Sequence, residues 1–104
     1  MASSIDFLNY ILDQLSELDE TSYRPMMGEF IIYYREKIIG GIYDDRFLVK
    51  MTPSSVEMMP DAEKQLPYEG AKVMLAVDNI ENREFLKKLI EALYEELPAI
   101  RRKK

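Results

Sequence analysis

The chain has 104 residues, of which 14 are Lys or Arg and 19 are Asp or Glu, so its formal net charge is −5. A composition of 47% hydrophobic and 32% charged residues argues against a disordered or fibrous chain, and this length suffices for one core. Because Cys and His are absent, thiolate and imidazole nucleophiles, Cys/His zinc sites and disulfides are excluded. We expect one domain over residues 1–100 and a disordered basic tail at 101–104.

The first predicted element is an amphipathic helix that ends near Leu18. Ser3, Ser4 and Asp6 suit its first turn, because hydroxyl and carboxylate oxygens accept hydrogen bonds from unpaired helical N–H groups. Apolar residues then follow at intervals of three and four, which places them on one helix face: Ile5, Leu8, Ile11, Leu12, Leu15 and Leu18.

The centre of the chain is predicted to be an antiparallel meander. Strand-forming residues fill 30–34 and 38–43, with a charged turn at Arg35–Lys37 between them. Asp44 and Asp45 predict a second tight turn, after which a third strand runs from Arg46 to Met51. Pro25 lacks a backbone donor, so the stretch before Gly28 is predicted to be an edge strand or an irregular lead-in.

A short helix and a fourth main strand are predicted next. Thr52 followed by Pro53 is typical of a helix start, and Pro60 ends that helix. Residues 60–70 are predicted to form a surface loop. Alternating apolar residues over 71–78 then predict the strand.

The last predicted element is a helix capped within Asn79–Asn82 and closed by Pro98. Its apolar stripe is wide, and charged residues fill the opposite face. The stripe consists of Phe85, Leu86, Leu89, Ile90, Leu93, Tyr94 and Leu97.

Together these elements predict a two-layer α+β fold. An antiparallel sheet of four to five strands carries the N- and C-terminal helices on one face. Apolar residues occupy adjacent positions over 30–34, so both faces of the sheet are predicted to be apolar. This pattern predicts either helices on both sides or a homodimer through the sheet, and we favour the homodimer.

Three segments give the chain a resemblance to a known family. Arg24–Phe30, Ile42–Lys50 and Leu66–Tyr68, together with the order of the predicted elements, resemble the TfoX N-terminal domain family of bacterial competence regulators, also called Sxy. The resemblance extends from about Asp6 to Leu97. It implies an α+β fold like that of secretion chaperones, and no catalytic residues are established for the family.

Within the first segment, Arg24, Met26 and Gly28 match the family pattern, whereas Met27 stands where Phe is usual and Glu29 where Gly is common. The regulator has a second domain, and we expect this chain to represent the N-terminal one alone. The resemblance implies a regulatory or adaptor protein of the bacterial cytoplasm that acts by protein–protein interaction.

The candidate partner-binding residues are Arg24, Met26, Met27, Gly28 and Tyr68. Methionines beside a guanidinium form an adaptable surface of the kind that binds a partner segment. The structural alternative is that Gly28 permits a bulge, that the methionines fill irregular core space and that Arg24 pairs locally.

Two further motifs receive structural interpretations. Asp44 and Asp45 resemble a pair of catalytic carboxylates, but adjacent side chains diverge on a strand or tight turn, so the turn interpretation is favoured. Gly40 and Gly41 lack the spacing of a phosphate-binding loop, so they predict a bend or the close approach of another backbone.

The alternative function is that of a nucleic-acid-binding accessory in transcription regulation. Seven tyrosines and the basic tail at 101–104 would favour it, since exposed aromatic rings stack on bases. However, residues 1–100 carry 10 basic and 19 acidic groups, a balance of −9 that repels phosphates. A protein partner is therefore favoured over nucleic acid.

No cofactor, metal site or catalytic residue is predicted, so we expect a protein that is not an enzyme. No apolar run approaches the ~20 residues that a membrane span needs. The N-terminus lacks a basic region followed by an apolar stretch, so the expected location is the cytoplasm.

Overall fold

A computed structural model describes residues 4–97, which form three helices and one six-stranded sheet. The helices are α1 (Ile5–Gln14), α2 (Pro53–Met58) and α3 (Arg83–Glu96). The strands are β1 (Thr21–Met26), β2 (Glu29–Tyr34), β3 (Lys37–Ile42), β4 (Phe47–Val49), β5 (Lys64–Gln65) and β6 (Met74–Ala76). Every neighbouring pair is antiparallel in the order β1-β2-β3-β4-β6-β5, which confirms the α+β prediction. Pro98 and the tail at 101–104 lie outside the described residues.

Strands β1 to β4 form the predicted meander, and the same kind of turn joins each pair. Met27–Gly28, Arg35–Glu36 and Asp44–Asp45 each hold both residues at positive φ, between 50° and 87°. Two-residue turns of this conformation match the right-handed twist of the strands they connect. The Asp44–Asp45 turn is confirmed, while the charged turn is shorter than predicted because Lys37 already pairs with Tyr34.

The sheet has more strands than the four to five predicted. The stretch around Pro25 is a full edge strand, paired with β2 from Thr21 to Met26, and an edge tolerates a residue without a backbone N–H. The second addition is β5, whose two polar residues lie within the predicted loop and pair with β6. So short a polar strand has no hydrophobic alternation to reveal it.

Three helix boundaries follow local chemistry. Ser4 caps α1 through its side chain, but the helix ends at Gln14 instead of near Leu18. Leu15 and Leu18 stay in the core because hydrogen-bonded turns continue the chain past the helix. Thr52 caps α2 and Asn82 caps α3, as predicted.

The main core lies between the helices and one face of the sheet. Phe30, Ile32 and Tyr34 of β2 are buried against this layer, while the alternate residues of β2 are half-buried. Leu8 and Ile11 of α1 join the same cluster, as do Leu86, Leu89, Ile90 and Leu93 of α3. The first and last helices therefore cover one face, as predicted, and α2 packs against α3. Within residues 4–97, no helix is long and apolar enough to cross a membrane.

Candidate partner-binding groove

The face of the sheet opposite the helices carries a second, smaller apolar cluster. Leu48 lies between two core residues of β4, and Ala76 follows Leu75 of the core, so both side chains point away from the helices. Tyr43 and Met74 complete this buried cluster, and Met26 packs against it. The second face is therefore apolar, as the sequence predicts.

Two adjoining cavities, of about 600 Å³ and about 660 Å³, lie on this face. They share Met26, Tyr43, Pro67 and Tyr68, and together we call them the open-face groove. The first cavity is also lined by Met27, Glu29, Asp44 and Arg46. The second is also lined by Ile31, Ile38, Gly40, Lys50, Met51, Ala71, Lys72, Val73 and Met74.

The floor of the groove depends on two glycines. A Cβ atom at Gly41 would lie 2.6 Å from Cε2 of Tyr43, so the missing side chain makes room for that ring. A Cβ atom at Gly40 would lie 2.1 Å from the carbonyl oxygen of Leu48 in the neighbouring strand. The prediction that this glycine pair lets another backbone approach is confirmed at Gly40.

The tyrosine that covers Gly41 forms one wall with a residue of the following loop. The ring centroids of Tyr43 and Tyr68 are 6.2 Å apart, with the planes tilted by 54°. Burial raises the pKa of the Tyr43 hydroxyl, and Tyr68, Glu29 and Tyr33 raise it further. The wall presents aromatic surface with polar tips.

Met27 projects from the turn between β1 and β2 at the rim of the first cavity. Its side chain is 96% exposed, and its φ is 52°. A left-handed backbone is unfavourable for a residue with a long side chain, and Asn or Gly is the usual choice at this turn position. Neither burial nor backbone preference accounts for a methionine here.

Charges of opposite sign mark the two halves of the groove. Glu29 and Asp44 line the first cavity with Arg46, whose Nε donates to the carbonyl of Tyr43 at 3.0 Å. Lys50 and Lys72 line the second cavity. A strand rises ~3.3 Å per residue, so Lys50 lies roughly 13 Å along β4 and its extension from Arg46. One end of the groove is acidic on balance and the other is basic.

The five predicted binding residues do not all share this site. Met26, Met27 and Tyr68 line the groove, and Gly28, at φ 87°, completes the turn that carries Met27. Arg24 instead lines a neighbouring polar depression of about 740 Å³, which shares Ile38 with the second cavity. That depression also contains Glu20, Ser22, Tyr23, Tyr33, Arg35, Glu36 and Ile38.

The two aspartates of the second turn act separately. The backbone N–H of Asp44 donates to Oε2 of Glu29 at 3.1 Å, and Oδ1 of Asp45 accepts from the N–H of Ser4 at 2.7 Å. The turn interpretation is thus confirmed. Among residues 4–97, no group of three or more Asp and Glu side chains is placed to hold a metal ion.

Sequence reasoning missed several lining residues, above all Tyr43, Glu29 and Pro67. The groove is assembled from the turns after β1 and β3 and from the loop before β6, which lie far apart in sequence. All eight residues of the first cavity nevertheless come from three short segments, 24–30, 42–50 and 66–68.

These features define an α+β protein with helices on one sheet face and an apolar groove on the other. No protein-family model matches the chain, and no solved structure matches it. A protein of Spirochaeta aurantia described as "Uncharacterized 12.7 kDa protein in trpE 5'region" is 30% identical over 80 residues, which cover 77% of this chain and 70% of the relative. The chain belongs to the same family as this 12.7 kDa protein.

Proposed function

We propose that the protein is a non-enzymatic regulatory or adaptor protein, similar to the N-terminal domain of the TfoX competence regulator, that binds a partner protein in the cytoplasm. The partner-binding surface is the open-face groove. The observation that carries the proposal is that the three segments resembling the TfoX family supply every residue of the first cavity.

The chemistry of the groove supports a protein partner. Methionine side chains are flexible and polarizable, so Met26 and Met27 adapt to the shape of a partner segment. Tyr43 and Tyr68 add rigid rings with polar tips, which are common at protein interfaces. We expect the bound segment to present apolar side chains to this surface.

The position of Met27 supports the same conclusion. A nearly fully exposed methionine in a left-handed turn contributes no core packing to the fold. Met27 therefore has no evident role in the stability of the fold, and contact with a partner supplies one.

Affinity capture from the native lysate, with and without nuclease, tests the proposal. The groove variant combines Met27→Asp with Tyr68→Ser, both at exposed side chains. Val56→Asp is the matched control, because Val56 is an exposed apolar residue of α2 on the helical side (42% exposed). We expect a nuclease-resistant protein partner to be retained by the wild type and the control and lost by the groove variant. Equal capture by all three proteins would refute the groove as the binding surface.

Nucleic acid binding is the second candidate, and the polar depression favours it. Arg24 and Arg35 line this depression together with the rings of Tyr23 and Tyr33, and guanidinium groups beside aromatic rings suit phosphates and bases. Glu20 and Glu36 line it as well and oppose an anion. Recovery that depends on nucleic acid, falls steeply with salt and is lost in Arg24→Ala would place this function first.

A further inference from the structure

We propose that the open-face groove of the free protein is covered by the same groove of a second copy, with the two copies related by a two-fold axis through its centre. This inference concerns the surface used in the proposed function, but it does not depend on that function. It rests on the apolar face, the charge pattern of the groove and the protruding Met27.

The first argument is the amount of apolar surface on this side of the sheet. The three helices pack on the other face, and the groove side carries Met27, Tyr68 and Val73 among the exposed large apolar side chains. Contiguous apolar surface of this kind is typical of an interaction site. The predicted homodimer through the sheet would use this face.

The second argument selects the occupant. A two-fold axis that lies in the plane of the interface, at right angles to the line joining the two ends of the groove, places the acidic end of each groove over the basic end of the other. Glu29 and Asp44 of one copy, which outweigh the single cation Arg46 beside them, then face Lys50 and Lys72 of the second copy, and the same contact repeats by symmetry. A surface with opposite charges at its two ends is therefore complementary to itself.

The third argument is the shape of the rim. Met27 projects at the acidic end, so the two-fold axis carries it over the second cavity of the other copy. That cavity, of about 660 Å³ and floored by Ile31 and Ile38, has room for a methionine side chain. Each copy would contribute one such side chain to the other.

Size and net charge are compatible with this pairing. The molecule measures 39 × 29 × 29 Å, and a face of these dimensions accommodates the ~800 Å² per partner of a standard interface. The net charge of −5 repels two copies at long range, but this repulsion is screened beyond ~8 Å at physiological ionic strength. The local charge pairs then fix the orientation of the two copies.

Charge reversal tests the pairing. The acidic-end variant carries Glu29→Lys and Asp44→Lys, and the basic-end variant carries Lys50→Glu and Lys72→Glu. The control exchanges the exposed Glu84 and Lys88 of α3, which lie on the helical side. Sedimentation equilibrium over micromolar to millimolar protein gives the dimer dissociation constant of each variant and of an equimolar mixture of the two reversed variants.

We expect dimers of the wild type and of the control, and dissociation constants raised by about a hundredfold or more in each reversed variant, because like charges then face each other. The mixture should regain the dimer, since each reversed end meets an opposite charge, and this recovery excludes misfolding as the cause. A monomeric wild type at millimolar concentration overturns the pairing and leaves the groove to a different partner. Dimers that persist in both reversed variants, or a mixture that stays monomeric, overturn it as well.

Discussion

Single residues show where the fold and the groove make opposing demands, and Met27 is the clearest case. Met27→Asn replaces a side chain that contacts no core residue with one that tolerates positive φ. We expect the free energy of unfolding to rise by about 0.5–1 kcal/mol, while partner capture decreases. Urea unfolding measured beside capture checks both effects, and a less stable variant would contradict this account of the turn.

Gly40 is required by the distance between two strands. In Gly40→Ala, the new methyl group would collide with the backbone of β4, which cannot move like a side chain. We expect the free energy of unfolding to fall by about 1–3 kcal/mol or more, as for other overpacked sites. Gly70→Ala is the matched control: Gly70 has positive φ with no atom near its absent Cβ, so only about 1 kcal/mol of backbone strain is expected. If urea unfolding shows the same decrease in the free energy of unfolding for both variants, β4 moves to accommodate the methyl group and the account of Gly40 is contradicted.

Tyr43 predicts how stability changes at alkaline pH. Its pKa in the folded protein lies above the ordinary value of about 10, so the folded state keeps the hydroxyl proton to higher pH than the unfolded chain. This contribution is complete below about pH 10 and is lost as the pH rises through the raised pKa. Tyr43→Phe should therefore lose less stability than the wild type between about pH 9 and about pH 11. Urea unfolding across that range checks this, and parallel curves would contradict it.

At the scale of elements, Lys37 joins the first residue of β3 to the end of α3. Its Nζ donates to the carbonyls of Tyr94 at 3.0 Å and Leu97 at 2.7 Å, and lies 4.1 Å from the centroid of the Tyr94 ring. A cation at a helix C-terminus also interacts favourably with the helix dipole. Lys37→Met should thus lower the free energy of unfolding by about 1–2 kcal/mol. Lys88→Met, at an exposed position of α3, is expected to change thermal stability little, and equal losses in the two variants would show that the contact is dispensable.

The parts of the fold that could be predicted are those determined by local chemistry, such as the helix caps. Ser4, Thr52 and Asn82 cap the three helices as expected, because a side-chain oxygen before an apolar pattern satisfies free N–H groups. The predicted end of α1 near Leu18 was wrong. Leu15 and Leu18 keep the helical spacing, but a turn after the helix buries them. Apolar spacing reports which side chains are buried, and different backbones can bury them.

The candidate site was predictable only in part. Met26 and Met27, from the segment 24–30, and Tyr68 were predicted as partner-binding residues, and the structure brings these three side chains together in the groove. Arg24 belongs to the same segment but lines a different depression. Tyr43 was missed as a groove residue because its position depends on Gly41 and on a loop more than twenty residues away.

For the molecule as a whole, the two faces of one sheet serve different purposes. The helical face buries the main core, whereas in the described part of the chain the smaller apolar cluster on the other face consists of Tyr43, Leu48, Met74 and Ala76 and leaves the groove open. Any partner that covers the groove adds its binding free energy to the stability of the folded state.

Pairing of two copies accordingly predicts a thermal midpoint that depends on protein concentration. A tenfold increase in concentration adds about 1.4 kcal/mol to the free energy of unfolding of a dimer, because association favours the folded state by mass action. For two chains of 104 residues, this corresponds to a rise in the midpoint of about 3–6 °C per tenfold increase. Calorimetry on a dilution series of the wild type should show this rise. The acidic-end variant with Glu29→Lys and Asp44→Lys should have the same thermal midpoint at every concentration below its own dissociation constant. If the midpoint of the wild type is also independent of concentration, the wild type folds and unfolds as a monomer and the pairing is contradicted.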